Sequence, residues 1–412
     1  MKSYTLEDIY TADKIPMQRE RYLKAAEEFE NLFGEKPTRF FSAPGRTEIG
    51  GNHTDHNLGR VFAAGVSLDV IAAVRETDDH VITVKSEGFP QDVIDISDTE
   101  VKENDKNTSA SLIRGMAAGF IKNGHKAGGF KAYTTSNVLK GSGLSSSAAF
   151  EVLIGTILNG LYNDHAVSAV EVAQLSQYAE NVYFGKPSGL MDQMASSVGS
   201  FITIDFKDVK EPVINKVDYD FAGSGYALCI VDTKGDHADL TPEYAAIPQE
   251  MKSVAEFFGK SVLREITKEQ LLDNIKAVRE KCSDRAVLRA LHFFDDNDRV
   301  PAQAKALEEG DIDSFLRLIN ESGDSSYKYL QNIFASSAPN SQGLSLALYI
   351  AKSALGGRGA CRVHGGGFAG TIQAFVPNDI LDEFRKKIEA VFGESSCYVL
   401  SIRPVGGAEV SL

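Results

Sequence analysis

The segment Gly141 to Ala148 reads Gly-Ser-Gly-Leu-Ser-Ser-Ser-Ala and lies between a strand-like run, Phe130 to Thr134, and a segment of helical patterning that begins near Ser147. Glycines let backbone N–H groups approach a phosphate closely, and the start of a helix adds unpaired donors and a positive dipole. Hydroxyl groups at such a point can also reach Mg²⁺. A serine that merely caps the helix would explain one of the serines, but not three behind Gly-Ser-Gly-Leu. The segment therefore predicts a phosphate-binding loop between a strand and a helix.

Other glycine motifs are excluded by their context. A P-loop requires GxxxxGK[ST], but the Gly-Lys-Ser at Gly259 to Ser261 has Val254 where the first glycine is needed. The protein-kinase tripeptides HRD and DFG do not occur. His364 to Gly370 contains GxGxxG, but a dinucleotide site needs a helix next, and Thr371 to Val376 reads as a strand. An esterase oxyanion loop would need a GxSxG nucleophile, which is absent. We therefore expect this glycine-rich turn to pack its backbone against the phosphate loop or a sugar.

A second polar segment runs from Pro44 to Asn57 and contains one arginine, two acids, two histidines and three glycines in fourteen residues. Core strands and helices rarely have this composition, whereas glycine and asparagine suit a loop with unusual backbone angles. Arginine, histidine and aspartate offer the donors and acceptors that a polyhydroxylated ligand or a phosphate needs. We therefore expect a binding loop here, between two strands.

The segment from Glu180 to Gln193 contains an acid whose meaning depends on its neighbours. Asp192 follows Pro187-Ser188-Gly189 and, taken alone, reads as an acid at the start of a helix. Phosphoryl transfer to a hydroxyl, however, needs an acid that accepts or orients the proton, a metal-binding carboxylate and a cation over the transferred group. Asp192, Glu180 and Arg46 are the right types for these three tasks.

The overall charge limits the partners of this chain. A net charge of −14 and a pI near 5.1 argue against a nucleic-acid partner, which would need a basic face. The four cysteines are far apart, and neither a signal peptide nor a window of transmembrane length occurs. These features predict a cytoplasmic protein with small-molecule ligands and no nucleic-acid or membrane partner, and they leave the oligomeric state open.

The order of the predicted elements favours an α+β fold with two domains. Helical patterning covers Ile15 to Phe33 and Ser109 to Lys122, for example, with strand-like runs between them. The charge-rich stretch from Lys207 to Asp220, which contains Pro212, is the best boundary candidate. We therefore expect one domain at residues 1–212 and a second at residues 213–412.

Together, these segments resemble the GHMP sugar kinases, and most closely the galactokinase family, across nearly the whole chain. The matching residues are Pro44-Gly45-Arg46 with His53-Thr54-Asp55, Gly143 to Ala148, Gly189 to Gln193, and Gly365 to Phe368. The resemblance implies an N-terminal domain like ribosomal protein S5 domain 2, a ferredoxin-like C-terminal domain, and an active site between them. It also implies ATP and Mg²⁺ as cofactors and direct phosphoryl transfer from ATP to the anomeric hydroxyl of galactose.

The resemblance further implies roles for individual residues. Asp192 corresponds to the catalytic aspartate, which orients or deprotonates the anomeric hydroxyl, and Arg46 corresponds to the arginine that pairs with it and steadies the transferred phosphate. Such a partner should lower the pKa of Asp192. Ser147 and Glu180 correspond to the magnesium ligands. The implied substrate-binding residues are Asn52, His53, Asp55, Gly189 and Tyr244, and the implied nucleotide-binding residues are Gly141, Ser142, Gly143, Leu144, Ser145, Ser146 and Ser147.

Some positions depart from the galactokinase pattern PGRVNLIGEHTDYN. Glu48, Asn52 and His56 stand where the family has asparagine, glutamate and tyrosine. Because an amide both donates and accepts whereas a carboxylate only accepts, Asn52 would tolerate a carboxylate at C6 of the sugar. Galacturonic acid is therefore the alternative substrate, and galactose is preferred because a single pocket exchange often leaves binding merely altered. Ser109 and Leu112 align with the aromatic residues that the family places near adenine, which leaves the base contacts open.

A non-catalytic sensor of galactose and ATP is the alternative from another functional class. Galactokinase relatives of that kind lose part of the loop that corresponds to Gly143 to Ala148. Here the loop and Asp192 are both present, so an enzyme is the preferred interpretation.

Overall fold

The structure, a computed structural model, describes residues 3–138, 143–235 and 240–412. The first half of the chain alternates long strands with helices. Its elements are β1 (Ser3–Thr5), α1 (Leu6–Ile9), α2 (Ile15–Phe33), β2 (Arg39–Gly50), β3 (Arg60–Glu76), β4 (Val81–Ser86), β5 (Gln91–Asp95), α3 (Ser109–Lys122), β6 (Phe130–Ser136), α4 (Ser146–Tyr162), α5 (Ala169–Tyr178), α6 (Met191–Val198), β7 (Phe201–Asp205) and β8 (Val213–Val217).

The second half is mainly helical, with a few strands near its start and end. Its elements are β9 (Tyr226–Asp232), α7 (Thr241–Phe257), α8 (Lys268–Asp273), α9 (Ile275–Lys281), α10 (Asp284–Glu308), α11 (Ile312–Ser325), α12 (Gly343–Leu355), β10 (Ala360–His364), β11 (Thr371–Pro377), α13 (Leu381–Phe392), β12 (Cys397–Leu400) and β13 (Ala408–Ser411). None of the described helices is both long and apolar enough to cross a membrane.

The first sheet is covered by helices on both faces. Within the described residues it has nine strands, in the order β1, β13, β2, β3, β6, β4, β5, with β7 paired to β3 and β8 paired to β7. Successive side chains of a strand point to opposite faces. In β3, Ala72 and Val74 accordingly join the core beneath α3 and α4, whereas Ile71 and Ala73 pack with Phe29 of α2. Burial on both faces explains why this strand reads as a nearly continuous apolar run.

The second sheet has ferredoxin-like topology. Its strands lie in the order β10, β11, β9, β12, and every neighbouring pair is antiparallel. Along the chain the order is β9, α12, β10, β11, α13, β12, with the helices α7 to α11 inserted between β9 and α12. Helices α12 and α13 cover one face, where Val231 and Ile372 pack with Leu344 and Phe384. The predicted α+β fold class is confirmed.

The two sheets share one hydrophobic core. On the other face of the second sheet, Leu228, Ile230 and Phe375 belong to the same buried cluster as Phe201 of the first sheet. Phe221 bridges them, with its ring centroid 6.1 Å from that of Phe201 and 5.7 Å from that of Phe375. Because apolar contact continues from one sheet to the other, the interface holds the two domains in a fixed relation.

The predicted domain boundary at residue 212 needs correction. The charged stretch from Lys207 to Pro212 is the turn of a hairpin, because β8 pairs with β7 and therefore belongs to the first sheet. Near the other end, β13 returns to the first sheet and pairs with β2. Charged residues and proline are as common in a surface loop between two strands as in a linker between domains, so the composition of this stretch predicts a boundary that is too early in the chain. The second domain begins near β9 and ends before β13.

Most predicted helices and strands are confirmed, and α2 and α3 have the predicted bounds. The segment Pro44 to Asn57 differs from the prediction of a loop. Its first half is strand, because β2 continues to Gly50 and pairs with β3 through two irregular positions. Only the residues from Gly51 onward form a turn. The strand tolerates buried charged side chains because partners from distant parts of the chain neutralise them.

Candidate active site

Arg46 of β2 and Asp192 of α6 form a bidentate ion pair. Arg46 Nε lies 2.6 Å from Asp192 Oδ1, and Arg46 Nη2 lies 2.8 Å from Asp192 Oδ2. Arg46 Nη1 donates to the carbonyl oxygen of Gly143, and the hydroxyl of Ser145 donates to Asp192 Oδ2. Each nitrogen of the guanidinium group therefore has a partner. The arrangement fixes the start of α6 against the predicted phosphate loop.

The surroundings of Asp192 favour its ionised form. Burial alone would raise the pKa of this carboxyl, but the charge and hydrogen bonds of Arg46, the hydroxyl of Ser145 and the charge of Lys186 together lower the pKa below its usual value. The expected direction of the shift is confirmed. A carboxylate with a lowered pKa is a weak base, so it orients a hydroxyl group more readily than it removes its proton.

The start of α4 has no side-chain cap. The helix begins at Ser146, and the preceding Ser145 has a φ of 55°, in the left-handed region. The hydroxyl of Ser145 binds the aspartate instead of capping the helix, so the first N–H groups of α4 are left for an anion. Leu144 is buried in the core, and its carbonyl oxygen accepts a hydrogen bond from the backbone N–H of Arg46 at 3.1 Å. The predicted nucleotide-binding residues Gly141 and Ser142 lie outside the described residues.

The glycine-rich turn that follows His364 packs against both predicted binding segments. A side chain on Gly143 would place its Cβ 3.0 Å from His364 Nδ1 and 3.0 Å from Thr371 Oγ1. On the other side, His53 Nε2 lies 3.0 Å from the carbonyl oxygen of Gly366. The flanking side chains of His364 and Thr371 thus limit the space at Gly143, and the backbone of the turn contacts His53. The expectation that the turn packs its backbone against the phosphate loop or a sugar stays a prediction.

Glu180 and Ser147, the implied magnesium ligands, lie together. Ser147 Oγ is 3.2 Å from Glu180 Oε1, and Gln193 Nε2 donates to Glu180 Oε2 at 2.8 Å. Lys186 Nζ lies 3.1 Å from Glu180 Oε1. Glu180 belongs to a π-helical turn, Ala179–Phe184, an irregularity that is frequent at functional sites.

These oxygen donors fit Mg²⁺, which is usually bound by one or two carboxylates, waters and substrate phosphates. In the described parts of the chain, no group of three or more His, Cys, Asp or Glu side chains is placed to hold a metal ion. Behind Glu180, Gln193 Nε2 also donates to Glu151 Oε2 at 3.1 Å, while the buried Glu151 Oε1 has no partner among the described residues. Burial and the charge of Glu180 raise the pKa of Glu151 well above its usual value. One carboxylate and one hydroxyl would therefore bind the ion together with the nucleotide.

Four of the predicted sugar-binding residues lie around one region. A side chain on Gly189 would place its Cβ 2.3 Å from Asp55 Oδ2, so the carboxylate rests against the backbone of Gly189. The ring of Tyr244 packs against Gly366, because a Cβ added to this glycine would lie 2.6 Å from the ring. The carbonyl oxygen of Gly366 also accepts the hydrogen bond from His53. Burial lowers the pKa of His53 to about 4, so its imidazole is neutral. The region combines a carboxylate acceptor with neutral polar groups.

The fifth predicted sugar-binding residue, Asn52, is fully buried, and its assignment needs correction. Its Nδ2 donates to Glu48 Oε1 at 2.9 Å and to the carbonyl oxygen of Gly365 at 2.8 Å. Its Oδ1 accepts from Ser326 Oγ at 3.3 Å and from Asn332 Nδ2 at 2.8 Å. All four hydrogen-bonding positions of the amide are used within the protein. Asn52 therefore links the turn to the second domain and has no position free for a sugar.

Glu48, another departure from the family pattern, is paired inside the protein. Arg362 Nη2 lies 2.7 Å from Glu48 Oε1, and both side chains are buried. Burial raises the pKa of Glu48 to about 7, although the charges of Arg362 and Arg46 oppose this shift. Relative to the family pattern, positions 48 and 52 carry the acid and the amide in exchanged order, and the two side chains bind each other.

Three further residues pair with acids in or near the site and were not assigned a role from the sequence, although Gln193 belongs to the matching segment Gly189 to Gln193. Lys186 and Gln193 lie in the segment that supplies Glu180 and Asp192, so their polar side chains in that segment were the available signal. Arg362 gave no such signal. It lies in strand β10, and its role depends on an acid 314 positions earlier in the chain.

Comparisons with known proteins agree with this arrangement. The galactokinase galactose-binding signature matches residues 27–76, and the GHMP kinases N terminal domain matches residues 111–200. A galactokinase of Streptomyces coelicolor is 30% identical over 371 residues, which cover 89% of this chain and 92% of that protein. The crystal structure of Lactococcus lactis galactokinase complexed with galactose has a TM-score of 0.80 and 26% identity, covering 94% of this chain and 99% of that one. Methanococcus jannaschii mevalonate kinase shares the fold, with a TM-score of 0.63 at 15% identity, covering 89% of this chain and 98% of that one.

Both family signatures cover the segments that build the site, because the first includes Arg46 and the second includes Asp192. The relative from Streptomyces coelicolor matches over most of its own length as well as most of this chain. On these grounds, the chain belongs to the galactokinase family of GHMP kinases and is a sugar kinase.

Proposed function

We propose that this sugar kinase transfers the γ-phosphoryl group of ATP to the C1 hydroxyl of galactose, giving galactose 1-phosphate and ADP. The observation that carries the proposal is the bidentate ion pair of Arg46 and Asp192. Arg46 also donates to the carbonyl oxygen of Gly143 in the predicted phosphate loop. Gly189, three residues before Asp192, lies against Asp55 in the turn that follows β2. The relatives named for galactose, in Streptomyces coelicolor and Lactococcus lactis, support the choice of sugar.

Asp192 acts on the attacking hydroxyl. It accepts a hydrogen bond from the C1 hydroxyl and points the oxygen at the γ-phosphorus, while the bond between that phosphorus and the β–γ bridging oxygen breaks and ADP leaves. Because Arg46 lowers the pKa of Asp192, the carboxylate takes the proton late, when the forming bond to phosphorus has made the hydroxyl acidic. Arg46 holds the carboxylate in position and places positive charge next to the transferred group.

Ser147 and Glu180 are the residues that would hold Mg²⁺, which supplies charge neutralisation for the β- and γ-phosphates. The N-terminus of α4 contributes unpaired N–H groups and a positive dipole to the same phosphates. Ser145 and Ser146 stand at this helix start, and Ser145 also keeps the catalytic aspartate in place.

The sugar ring is proposed to bind where Asp55, His53, Gly189 and Tyr244 meet. The carboxylate of Asp55 can accept hydrogen bonds from two neighbouring hydroxyl groups of a sugar. Gly189 leaves room for this carboxylate, since an added Cβ would lie 2.3 Å from Asp55 Oδ2. Tyr244 offers an aromatic ring at the edge of the glycine-rich turn, where its hydroxyl donates to the carbonyl oxygen of Gly367 at 2.9 Å.

The structure removes the reason for considering galacturonic acid as the alternative substrate. This reason depended on the amide of Asn52 facing C6 of the sugar, and that amide is buried with its hydrogen-bonding positions used inside the protein. We therefore keep galactose as the proposed substrate. We place the reaction in the cytoplasm, where the four free thiols of the chain would stay reduced.

An ATP-dependent phosphorylation screen over galactose, galacturonic acid, arabinose, N-acetylgalactosamine and talose tests the proposal. We expect galactose to have the highest kcat/KM. A preference for galacturonic acid would contradict the substrate, and binding of galactose and ATP without turnover of any sugar would favour the sensor. The variant Asp192→Asn should bind galactose and lose turnover, whereas unchanged turnover would contradict the role of Asp192.

A further inference from the structure

The backbone of Lys186 is hydrogen-bonded to the backbone of Glu180, one of the two proposed magnesium ligands. It lies between Gly185, whose φ is 89°, and Pro187, whose ring fixes its own φ. The N–H groups of Gly185 and Lys186 both donate to the carbonyl oxygen of Glu180, at 3.0 and 3.2 Å. The main chain at Lys186 is therefore held beside Glu180, and only the side chain is free to change position.

The main chain of Lys186 is held in place, whereas the ammonium end of its side chain is exposed. Its Nζ lies 3.1 Å from Glu180 Oε1, the same oxygen that Ser147 Oγ contacts at 3.2 Å. The side chain of Lys186 is 58% exposed, whereas that of Glu180 is 3% exposed. A long, exposed lysine can therefore reach new partners without any movement of the buried carboxylate.

Among the described residues of the site, the other cation, Arg46, is less free to change its partners. Arg46 directs Nε and Nη2 to Asp192 and Nη1 to the carbonyl oxygen of Gly143, and its side chain is only 7% exposed. Its charge is shared with the carboxylate of Asp192. The triphosphate of ATP keeps a net negative charge after one divalent ion has bound, so a cation that loses its carboxylate partner to that ion is well placed to meet the phosphates.

We propose that Lys186 contacts the phosphate oxygens of the bound nucleotide, having been displaced from Glu180 by the metal ion. An ion held by Glu180 would repel the ammonium group from that carboxylate. Asp192, whose charge also acts on Lys186, is already paired with Arg46, so the phosphates would be the next partner of the ammonium group. The positive charge of Lys186 thus neutralises the carboxylate of Glu180 in the free enzyme and the phosphates of the nucleotide in the complex. This inference rests on the proposed function, because it requires a magnesium–nucleotide complex in this site.

The test compares Lys186→Met, which removes the charge and keeps most of the stem, with Lys186→Arg, which keeps the charge. Lys352→Met is the matched control, because Lys352 Nζ lies 3.2 Å from Asp324 Oδ1, its side chain is 55% exposed, and it belongs to α12 of the second domain. Calorimetry measures the affinity for magnesium with AMP-PNP, a non-hydrolysable ATP analogue, and separately the affinity for galactose. Thermal unfolding without ligands checks that each variant is folded.

We expect Lys186→Met to bind magnesium with AMP-PNP about 3- to 10-fold more weakly, with unchanged affinity for galactose. Lys186→Arg should stay within about twofold of the wild type, and Lys352→Met should not differ from it. Equal nucleotide affinity of Lys186→Met and the wild type would overturn the inference while leaving the proposed function intact. If the wild type itself bound no magnesium–nucleotide complex, the proposed function would fail, and the inference would fail with it.

Discussion

The substitution Asn52→Asp reverses hydrogen bonding at the centre of the buried network without changing its shape. In the wild type, Asn52 Nδ2 donates to Glu48 Oε1 at 2.9 Å and to the carbonyl oxygen of Gly365 at 2.8 Å. In the variant, both donated bonds become contacts between two acceptors, and one of them joins two carboxylates. The bonds that the Oδ1 position accepts from Ser326 and Asn332 are kept.

The expected cost follows from these contacts. Each lost hydrogen bond is worth about 1 kcal/mol net, and a buried acceptor left without a donor costs about 1 to 3 kcal/mol. A buried charge that lacks a partner costs about 3 to 5 kcal/mol. Since Arg362 compensates only one of the two carboxylates, we expect the free energy of unfolding to fall by about 4 kcal/mol at pH 8. The double variant Glu48→Gln with Asn52→Asp again has one acid and one amide, so it should recover about 2 kcal/mol.

Urea unfolding followed by circular dichroism measures these differences, and steady-state kinetics gives the KM for galactose of each folded variant. Asn274→Asp is the control, because this exposed amide donates only to the carbonyl oxygen of Gln270 at 2.9 Å, and its replacement should cost no more than about 0.5 kcal/mol. If Asn52→Asp lost less than about 1 kcal/mol of stability while KM rose about tenfold, Asn52 would contact the sugar. The structural role derived from its buried hydrogen bonds would then be refuted.

Three further predictions concern catalysis, pH and the sugar pocket. Asp192→Asn should lower kcat by about 10³-fold while galactose and AMP-PNP still bind by calorimetry, and a kcat within about tenfold of the wild type would contradict its orienting role. The contribution of Glu48 to the free energy of unfolding should fall by up to about 3 kcal/mol as the pH rises from about 4.5, the usual pKa of a glutamate, to about 7, the pKa of Glu48 in the fold, because Glu48 binds more protons in the folded than in the unfolded state in this window. Urea titrations across this range should show the wild type losing stability relative to Glu48→Gln as the pH rises, and identical slopes would disprove the assignment to Glu48. Gly189→Ala should raise the KM for galactose about tenfold with a smaller change in kcat, because the added methyl group would lie 2.3 Å from Asp55 Oδ2 and displace this carboxylate. An unchanged KM would show that Asp55 is not needed for the sugar.

The sequence predicted those parts of the fold that depend on neighbouring residues. Helices α2 and α3 follow from the apolar period of their own segments, and their bounds agree with the structure. The strand β2 was not predicted over residues 44–50, because its charged side chains look unsuitable for a sheet until their partners are known. Arg46 is paired with Asp192 and Glu48 with Arg362, across 146 and 314 positions of the chain. Neither pairing has a local signal.

The candidate site likewise has features that the sequence predicts and features that only the structure shows. The types and order of Arg46, Glu180 and Asp192 could be read from the sequence, and the structure brings them to adjacent positions, although their individual roles stay predictions. The direction in which Asn52 points could not be read, because it depends on acceptors and donors supplied by the glycine-rich turn and by Asn332 of the second domain. Whether a polar side chain faces a ligand or the protein is decided by its distant neighbours.

The return of β13 to the first sheet has a consequence for synthesis on the ribosome. Strand β2, which carries Arg46, pairs on one side with β13, and β13 in turn pairs with β1. At about 5 to 20 residues per second, the growing chain releases β2 several tens of seconds before residues 408–411 exist. During that time β2 has an open edge, and open edges are sites of mispairing and of contact with other chains. A nascent chain therefore cannot complete the first sheet before residues 408–411 are made, and the edge of β2 stays unpaired until almost the whole chain has been synthesised.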